Sequence, residues 1–279
     1  MVFADDVKLY LAHANDLPFS QEALQTDIDT LVRTGSSWGL VMNASKCACI
    51  RFCRSYSVPS SGGSPYKIDG QPIAFTDRHP NLGVEVHKSL KFHTHIRKTA
   101  GMCHGISTNI FASTLCRDAE FIMNVYVSHI RPKLEYCSCV WNLGYLEDLR
   151  QLERVQRRWT RSVVGLEETP YGERLRLLDL FSMQGRLLRA DLIMVWKIFN
   201  GLCAISPDQV FTMNPSSRRG HSLKIFLPRS NLEIRKRSFA IRVVNDWNSL
   251  CETTVTSQSL DTFKRLLQRD LGQRLYDFS

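Results

Sequence analysis

The sequence predicts an α+β fold in which short strands precede a longer helical part. Apolar and polar residues alternate from Val7 to Leu11, and strand-like segments follow at 47–52 and 66–86, a pattern typical of half-buried strands. From about residue 92 the apolar residues recur at helical spacing instead. We therefore expect a small β-containing region followed by a mainly α-helical one.

The first predicted element is a hairpin with two aspartates at its turn. Apolar residues 1–3 lead into Asp5 and Asp6, and the strand pattern resumes at Val7. Neighbouring carboxylates at a turn can share one concave site, and Mg²⁺ prefers hard oxygen ligands of this kind. The alternative is an Asp-rich turn whose side chains bond their own backbone.

A helix and a strand are predicted after the hairpin. Ser20 is a suitable N-cap, and Gly39 is expected to end the helix. A strand over 47–52 follows, and a Ser- and Gly-rich link at 55–65 leads to a hairpin at 66–73. One face of the helix is expected to carry Leu24, Ile28, Leu31 and Trp38.

The rest of the chain is predicted to be helical and to supply the main core. Ser182 is expected to cap one of the helices, and Pro132 and Gly165 are expected to interrupt the helical sequence. The predicted helices are 92–115, 118–131, 145–164, 182–200, 239–250 and 259–271.

The helix at 145–164 has one apolar and one basic face. The apolar stripe is Leu149, Leu152, Trp159 and Val163. The basic residues recur at i, i+4, i+7, i+8 and i+11, and they are Arg150, Arg154, Arg157, Arg158 and Arg161. They span roughly 16 Å, comparable to several phosphates along a nucleic-acid strand. The alternative is an ordinary solvated face, with partners Glu147, Asp148 and Glu153.

The order of these motifs resembles the reverse transcriptases of non-LTR (LINE-like) retrotransposons. In that family an F-A-D-D hairpin precedes a helix ending near W-G-L and then N-x-x-K-C, which stand here at 3–6, 38–40 and 43–47. A Y-L-G-V segment has its counterpart at 81–84, with Asn81 in place of the tyrosine. Later segments resemble those that follow the polymerase palm, at 135–141, 152–161, 219–221 and 242–250.

The resemblance implies an RNA-directed DNA polymerase that uses two-metal nucleotidyl transfer. Asp5 and Asp6 would be the catalytic Mg²⁺ ligands. An RNA template and a DNA primer would be the partners. The residues expected to contact nucleic acid are Lys46, Arg150, Arg154, Arg157, Arg158 and Arg161.

In the terms of that family, the α+β chain would comprise a truncated palm (hairpin, helix and strand), a small β-hairpin, and a mainly α-helical thumb and C-terminal region. The expected domains are a partial palm at 1–54, a linker with a hairpin and strand at 55–91, a helical thumb or post-thumb domain at 92–201, and a basic C-terminal region with two short helices at 202–279.

The fingers and the upstream metal-binding aspartate of the family have no counterpart in the sequence. We therefore expect a C-terminal portion of a reverse transcriptase, beginning at the F-A-D-D motif, and an isolated chain without polymerase activity. Two alternatives remain open at this point. One is a non-catalytic nucleic-acid-binding module, and the other is the translation of a decayed element without selected function.

Charge and composition agree with a nucleic-acid partner. Residues 1–30 contain one lysine and six acidic residues, a net charge of −5, so the overall +9 leaves +14 for residues 31–279. A basic body attracts phosphates without regard to sequence. A second basic cluster at 218–237 is expected to form loops that contact nucleic acid, act as a nuclear-localisation patch or remain solvated.

The remaining composition argues against a zinc site and a membrane span. The nine cysteines lack the spacing of a structural zinc site, so free thiols in a reducing compartment are expected. His93 and His95 are expected at the surface or as caps. With no signal peptide and no apolar run of spanning length, we expect an intracellular protein, nuclear or cytoplasmic. The oligomeric state stays open.

Overall fold

The computed structural model describes residues 2–3, 6–11, 21–52, 66–214 and 220–278. The chain divides into two compact units, Met1–Leu90 and Lys91–Ser279. Among the described residues, all named strands belong to the first unit, and helices make up most of the second. This mixture of helices and small sheets agrees with the predicted α+β class.

The described part of the first unit contains one α-helix, α1 (Gln21–Ser37), and eight short strands. Three strand pairs are antiparallel, namely β1 with β2, β4 with β5 and β7 with β8, while β3 and β6 pair in parallel. The strands are β1 (Val2–Phe3), β2 (Asp6–Val7), β3 (Ala48–Cys49), β4 (Lys67–Ile68), β5 (Gln71–Pro72), β6 (Ala74–Phe75), β7 (Arg78–Asn81) and β8 (Val84–His87).

Several strands are shorter than the sequence predicts. The first hairpin forms, with Phe3 opposite Asp6, but residues 8–11 adopt no regular element. The strand predicted over 47–52 is reduced to the two residues of β3. Alternation indicates which side chains favour burial, whereas the length of a ladder depends on a partner strand, which the local pattern does not specify.

The core of the first unit lies where α1 covers the hairpin of β4 and β5. Ile28 on α1 is buried together with Tyr66, Ile68 and Ile73. The prediction that Trp38 shares the apolar face of α1 is wrong, because its side chain is 73% exposed. The helix ends at Ser37, so Trp38 falls in the turn beyond it and no longer follows the helical spacing.

The segment at 81–84 forms the turn of the hairpin between β7 and β8. Asn81 pairs with Val84 across the turn. Leu82 and Gly83 have φ angles of 46° and 80°, and two successive positive values are what a tight type I′ turn requires. Glycine adopts such a conformation without steric cost, so Gly83 favours this turn.

The described part of the second unit is built from helices joined by short connections. The predicted helices near 92–115, 145–164, 182–200 and 259–271 are confirmed as α2, α6, α8 and α14. The full set is α2 (His93–Ser113), α3 (Ala119–Val125), α4 (Arg131–Glu135), α5 (Ser138–Trp141), α6 (Leu146–Arg161), α7 (Tyr171–Leu177), α8 (Met183–Phe199), α9 (Pro207–Val210), α10 (Glu233–Lys236), α11 (Phe239–Arg242), α12 (Val244–Asn248), α13 (Glu252–Val255) and α14 (Leu260–Leu271).

The helix predicted over 118–131 differs from the prediction in two ways. It is divided by a π-helical turn at Tyr126–Ile130, and it continues through α4 to Glu135. Pro132 was expected to interrupt the helix, yet it lies in the first turn of α4. The backbone N–H of Arg131 bonds the carbonyl of Tyr126, five residues earlier, so the regular i→i−4 hydrogen bonding is already interrupted next to the proline, which lacks an N–H.

The helix α8 is held against the end of the chain. As predicted, Ser182 caps it, since its Oγ accepts a hydrogen bond of 3.0 Å from the N–H of Gly185. A Cβ atom at Gly185 would clash with the carbonyl oxygen of Leu275. The contact between α8 and the 3₁₀ turn Gly272–Leu275 therefore requires a glycine at position 185.

One core joins α8 to the helices that follow it. The buried side chains of this core include Leu192, Trp196, Trp247 and Phe263. Residues from both predicted segments, 92–201 and 202–279, therefore contribute to it. A buried ion pair reinforces the packing, because Arg242 Nη2 lies 2.8 Å from Asp191 Oδ1 and both side chains are largely buried.

None of the helices in the described ranges combines the length and apolar character that crossing a membrane requires.

Candidate nucleic-acid interface

The helix α6 separates its apolar and basic residues onto opposite faces. Its buried side includes all four predicted apolar positions, as Leu149, Leu152 and Trp159 on the helix and Val163 just beyond it have side chains at most 7% exposed. The exposed side carries Arg150, Arg154, Arg157 and Arg161. At 3.6 residues per turn, these four arginines fall within about 60° of one another around the helix axis. We call them the arginine face.

Packing against α2 fixes the buried side of α6. Trp159 is fully buried, its Nε1 donates a hydrogen bond of 2.7 Å to Ser107 Oγ, and its ring centre lies 4.7 Å from that of Phe111. A large aromatic side chain held by both ring contacts and a hydrogen bond restricts rotation of the helix. The direction of the arginine face is therefore set by the core of the second unit.

The expectation that Glu153 is a solvated partner of the arginines is wrong. Its side chain is buried, it accepts a hydrogen bond from the hydroxyl of Tyr171, and it accepts another of 3.0 Å from the N–H of Met183. Burial raises the pKa of the Glu153 carboxyl group. Glu153 thus joins α6 to the chain around α7 and α8, and the charge of Arg157 acts against the rise in its pKa.

Asp148 also differs from the expected solvated partner. It is buried, and His93 Nδ1 lies 2.7 Å from its Oδ2. His93 was expected at the surface or as a cap; it stands at the start of α2 with its side chain 41% exposed, and it pairs with Asp148 in the first turn of α6. This contact connects the two helices and leaves the Asp148 carboxylate unavailable to the arginines.

Glu147 is the member of the predicted acidic set that remains at the surface. Its carboxylate lies 3.9 Å from both Arg150 and Arg154, and all three side chains are more than half exposed. Arg161 has a similar contact of 3.9 Å with the exposed Glu168. Exposed ion pairs typically contribute less than about 1 kcal/mol, so these contacts leave the guanidinium groups available to a stronger acceptor.

Aromatic side chains hold Arg157 in place. Its guanidinium carbon lies 4.6 Å from the ring centre of Tyr171 and 5.6 Å from that of Phe278. Arg174 lies 5.5 Å from the same tyrosine ring. Stacking leaves the edge of a guanidinium group, which carries its N–H donors, free to bind an anion.

Arg158 is directed away from the arginine face. Its Nη2 lies 3.1 Å from Thr108 Oγ1, its Nη1 lies 3.3 Å from the carbonyl oxygen of His104, and it stacks over Phe111 at 5.4 Å. A residue directly after Arg157 is turned by about 100° around the helix axis. The arrangement therefore brings together four of the five predicted arginines and places the fifth against α2.

The remaining predicted site residues belong to the first unit. Asp6 lies in β2 and Lys46 in a 3₁₀ turn at Ala44–Lys46, and both side chains are exposed. Asp5 lies outside the described residues. The described ranges contain no group of three or more His, Cys, Asp or Glu side chains that could hold a metal ion.

Sequence reasoning missed the contribution of Tyr171. The residue stands 14 positions after Arg157 and follows Pro170, so no helical or strand spacing relates the two. Only the return of the chain through α7 places its ring under the guanidinium group. The hydroxyl of the same tyrosine bonds Glu153, which couples the arginine face to the buried network.

Two curated proteins show distant similarity to the chain. Both are described as RNA-directed DNA polymerase from mobile element jockey, one from Drosophila funebris and one from Drosophila melanogaster. They are 24% identical to the chain over 169 and 172 residues, which is 58% of this chain in each case. The matched segment spans 18% of the length of each relative. The similarity supports a distant relationship to the reverse transcriptases of mobile elements.

No family model matches the sequence. No solved structure matches it either. The placement of the chain at the C-terminal side of such a polymerase stays a prediction.

Proposed function

We propose that this chain is part of the RNA-directed DNA polymerase of a non-LTR mobile element and that the arginine face binds the backbone of the RNA template and DNA primer. The observation that supports this most strongly is the alignment of Arg150, Arg154, Arg157 and Arg161 along one exposed side of α6. The distant similarity to two polymerases of mobile elements supports nucleic acid as the partner of this basic surface.

The geometry of the arginine face suits a phosphate backbone. From Arg150 to Arg161 the helix rises by about 16 Å, enough to pass several phosphates of one strand. Arginine binds phosphate through paired N–H donors. Contacts of this kind position a protein on nucleic acid and carry little sequence information, so we expect binding that is independent of base sequence.

Removing two arginines should weaken this binding. The double variant Arg150→Gln/Arg154→Gln is expected to bind an RNA–DNA primer–template about 10- to 100-fold more weakly than the wild type, because two charge-assisted contacts are lost. Filter binding or fluorescence anisotropy at fixed salt measures the change. The loss should be the same for primer–templates of unrelated sequence.

A second pair of arginines on another helix provides the matched control. Arg265 and Arg269 are also four residues apart and exposed, on α14. The variant Arg265→Gln/Arg269→Gln changes the net charge equally, and it should alter the affinity less than twofold. Equal losses in the two double variants would show that total charge governs binding and would contradict a specific arginine face.

We further propose that Asp5 and Asp6 bind Mg²⁺ in the complete polymerase. The support comes from the family resemblance, the formation of the hairpin of β1 and β2, and the exposed carboxylate of Asp6. Carboxylate oxygens are suitable Mg²⁺ ligands. A bound metal would stabilise the attacking and leaving oxygens of nucleotidyl transfer.

Metal binding at the hairpin can be measured without an activity assay. Asp6→Asn is expected to weaken the binding of Mn²⁺, used as a paramagnetic probe, by about tenfold or more, since it removes a carboxylate ligand. Asp27→Asn is a suitable control because Asp27 is an exposed carboxylate on α1. The same Mn²⁺ affinity in both variants would rule out Asp6 as a ligand.

A further inference from the structure

A second concentration of positive charge is built by α4 and α8. Arg131 and Glu135 are four residues apart on α4, and Arg186 and Arg189 are three apart on α8. These spacings place the two members of each pair on the same side of their helix. None of the four residues belongs to the arginine face of α6, so the cluster is a separate feature of the second unit.

Glu135 holds two of the arginines. Arg186 forms a bidentate contact with it, in which Nη2 lies 3.0 Å from Oε2 and Nε contacts Oε1. Arg131 Nε lies 3.8 Å from Oε1. The three side chains are between 17% and 26% exposed, so the contacts occur in a largely desolvated environment where charge interactions are stronger than in water.

Arg189 differs from these two arginines in its hydrogen bonding. Its Nε is buried and makes no hydrogen bond within the described residues. Burial lowers its pKa, and the neighbouring charge of Arg186 lowers it further. Arginine nevertheless remains protonated in proteins. A buried N–H donor without an acceptor is costly, so a ligand that supplied an acceptor to Arg189 would stabilise the folded protein.

The charge balance of the cluster leads to the same conclusion. Two guanidinium groups contact the carboxylate of Glu135, and Arg189 follows Arg186 on the same side of α8, so positive charges outnumber the one carboxylate among these four residues. A phosphate group carries several acceptor oxygens and matches the forked donors of arginine. We propose that Arg131, Arg186 and Arg189 form a binding site for a phosphate group, which would supply the acceptor that Arg189 Nε lacks among the described residues.

The phosphate site is independent of the function proposed for α6. A free phosphate and a phosphate of a nucleic-acid backbone offer the same acceptor oxygens to these arginines. Inorganic phosphate is therefore the first probe. Replacing 50 mM chloride salt by phosphate at equal ionic strength and pH should raise the Tm of the full chain by about 3–6 °C, if phosphate binds the folded state with millimolar affinity.

Single substitutions test whether the Tm shift caused by phosphate requires the arginines of the cluster. The shift should be lost in Arg189→Gln and retained in Arg265→Gln, which removes one exposed arginine on α14. Arg131→Gln provides a second test if the first variant does not fold, because Arg131 lies at the edge of the cluster with its side chain 26% exposed. Arg131→Gln should reduce the shift by at least half.

The proposal would be overturned if phosphate did not raise the Tm of the wild type. It would also be overturned if phosphate raised the Tm of Arg189→Gln and of the wild type equally. Binding of a single-stranded RNA oligonucleotide then identifies the source of the phosphate. Weaker binding by Arg189→Gln than by Arg265→Gln would assign the site to a nucleic-acid backbone. Equal oligonucleotide binding, together with a lost phosphate shift, would assign it to free phosphate. Failure of the proposal for α6 would be detected independently, as an unchanged primer–template affinity in Arg150→Gln/Arg154→Gln.

Discussion

Replacing Trp159 with alanine is expected to lower the free energy of unfolding of the Lys91–Ser279 unit by about 3–5 kcal/mol. The side chain is fully buried, so its removal leaves a large cavity between α2 and α6. The variant also loses the ring contact with Phe111 and leaves Ser107 Oγ without its indole donor. Chemical denaturation followed by circular dichroism measures the change.

Two further variants show whether the effect comes from packing. Trp159→Phe keeps most of the aromatic contact and should cost less than the alanine variant. Val164 lies just beyond α6 with its side chain 68% exposed, and Val164→Ala should change the free energy of unfolding by less than about 0.5 kcal/mol. A loss below about 1 kcal/mol in Trp159→Ala would mean that the contact of α2 with α6 does not hold the second unit together.

The long helices of the second unit were predictable because local sequence determines much of their form. The apolar stripe of α6 repeats over four turns, and Ser182 marks the start of α8 by capping it. Side-chain periodicity and capping act within a few residues. Information of this kind is present in the sequence before the tertiary structure is known.

The strands and the buried polar groups depend on distant partners. The second strand of the first hairpin ends at Val7 although the alternation continues. Glu153 stands among charged residues on α6 and has the sequence context of a surface residue, yet Tyr171 and Met183 bring its donors from other parts of the chain. A local pattern cannot distinguish such a buried carboxylate from a solvated one.

In the candidate site, too, some features follow from the local sequence and others depend on distant parts of the chain. The spacing of the arginines predicts a basic side of α6, and the structure places four of them on one face. The direction taken by Arg158 depends on acceptors supplied by α2. The unsatisfied donor of Arg189 becomes visible only when α4 and α8 are placed together, because no motif in the sequence relates residues 131 and 189.

Removal of the whole arginine face is expected to have the largest effect on binding. A variant with glutamine at positions 150, 154, 157 and 161 loses four guanidinium groups that are exposed along one helix. Each phosphate contact releases close to one condensed counterion, so these arginines should account for about three units in the slope of log K against log salt concentration. The effect on affinity should therefore be greatest at low salt.

The most direct test of the account is the salt dependence of primer–template binding by the wild type and this four-arginine variant. We expect the slope to become less steep by about three units in the variant, while Arg265→Gln/Arg269→Gln keeps the slope of the wild type. Circular dichroism would establish that the variants are folded. The same slope for the wild type and the four-arginine variant would contradict the central claim that the exposed face of α6 binds the nucleic-acid backbone.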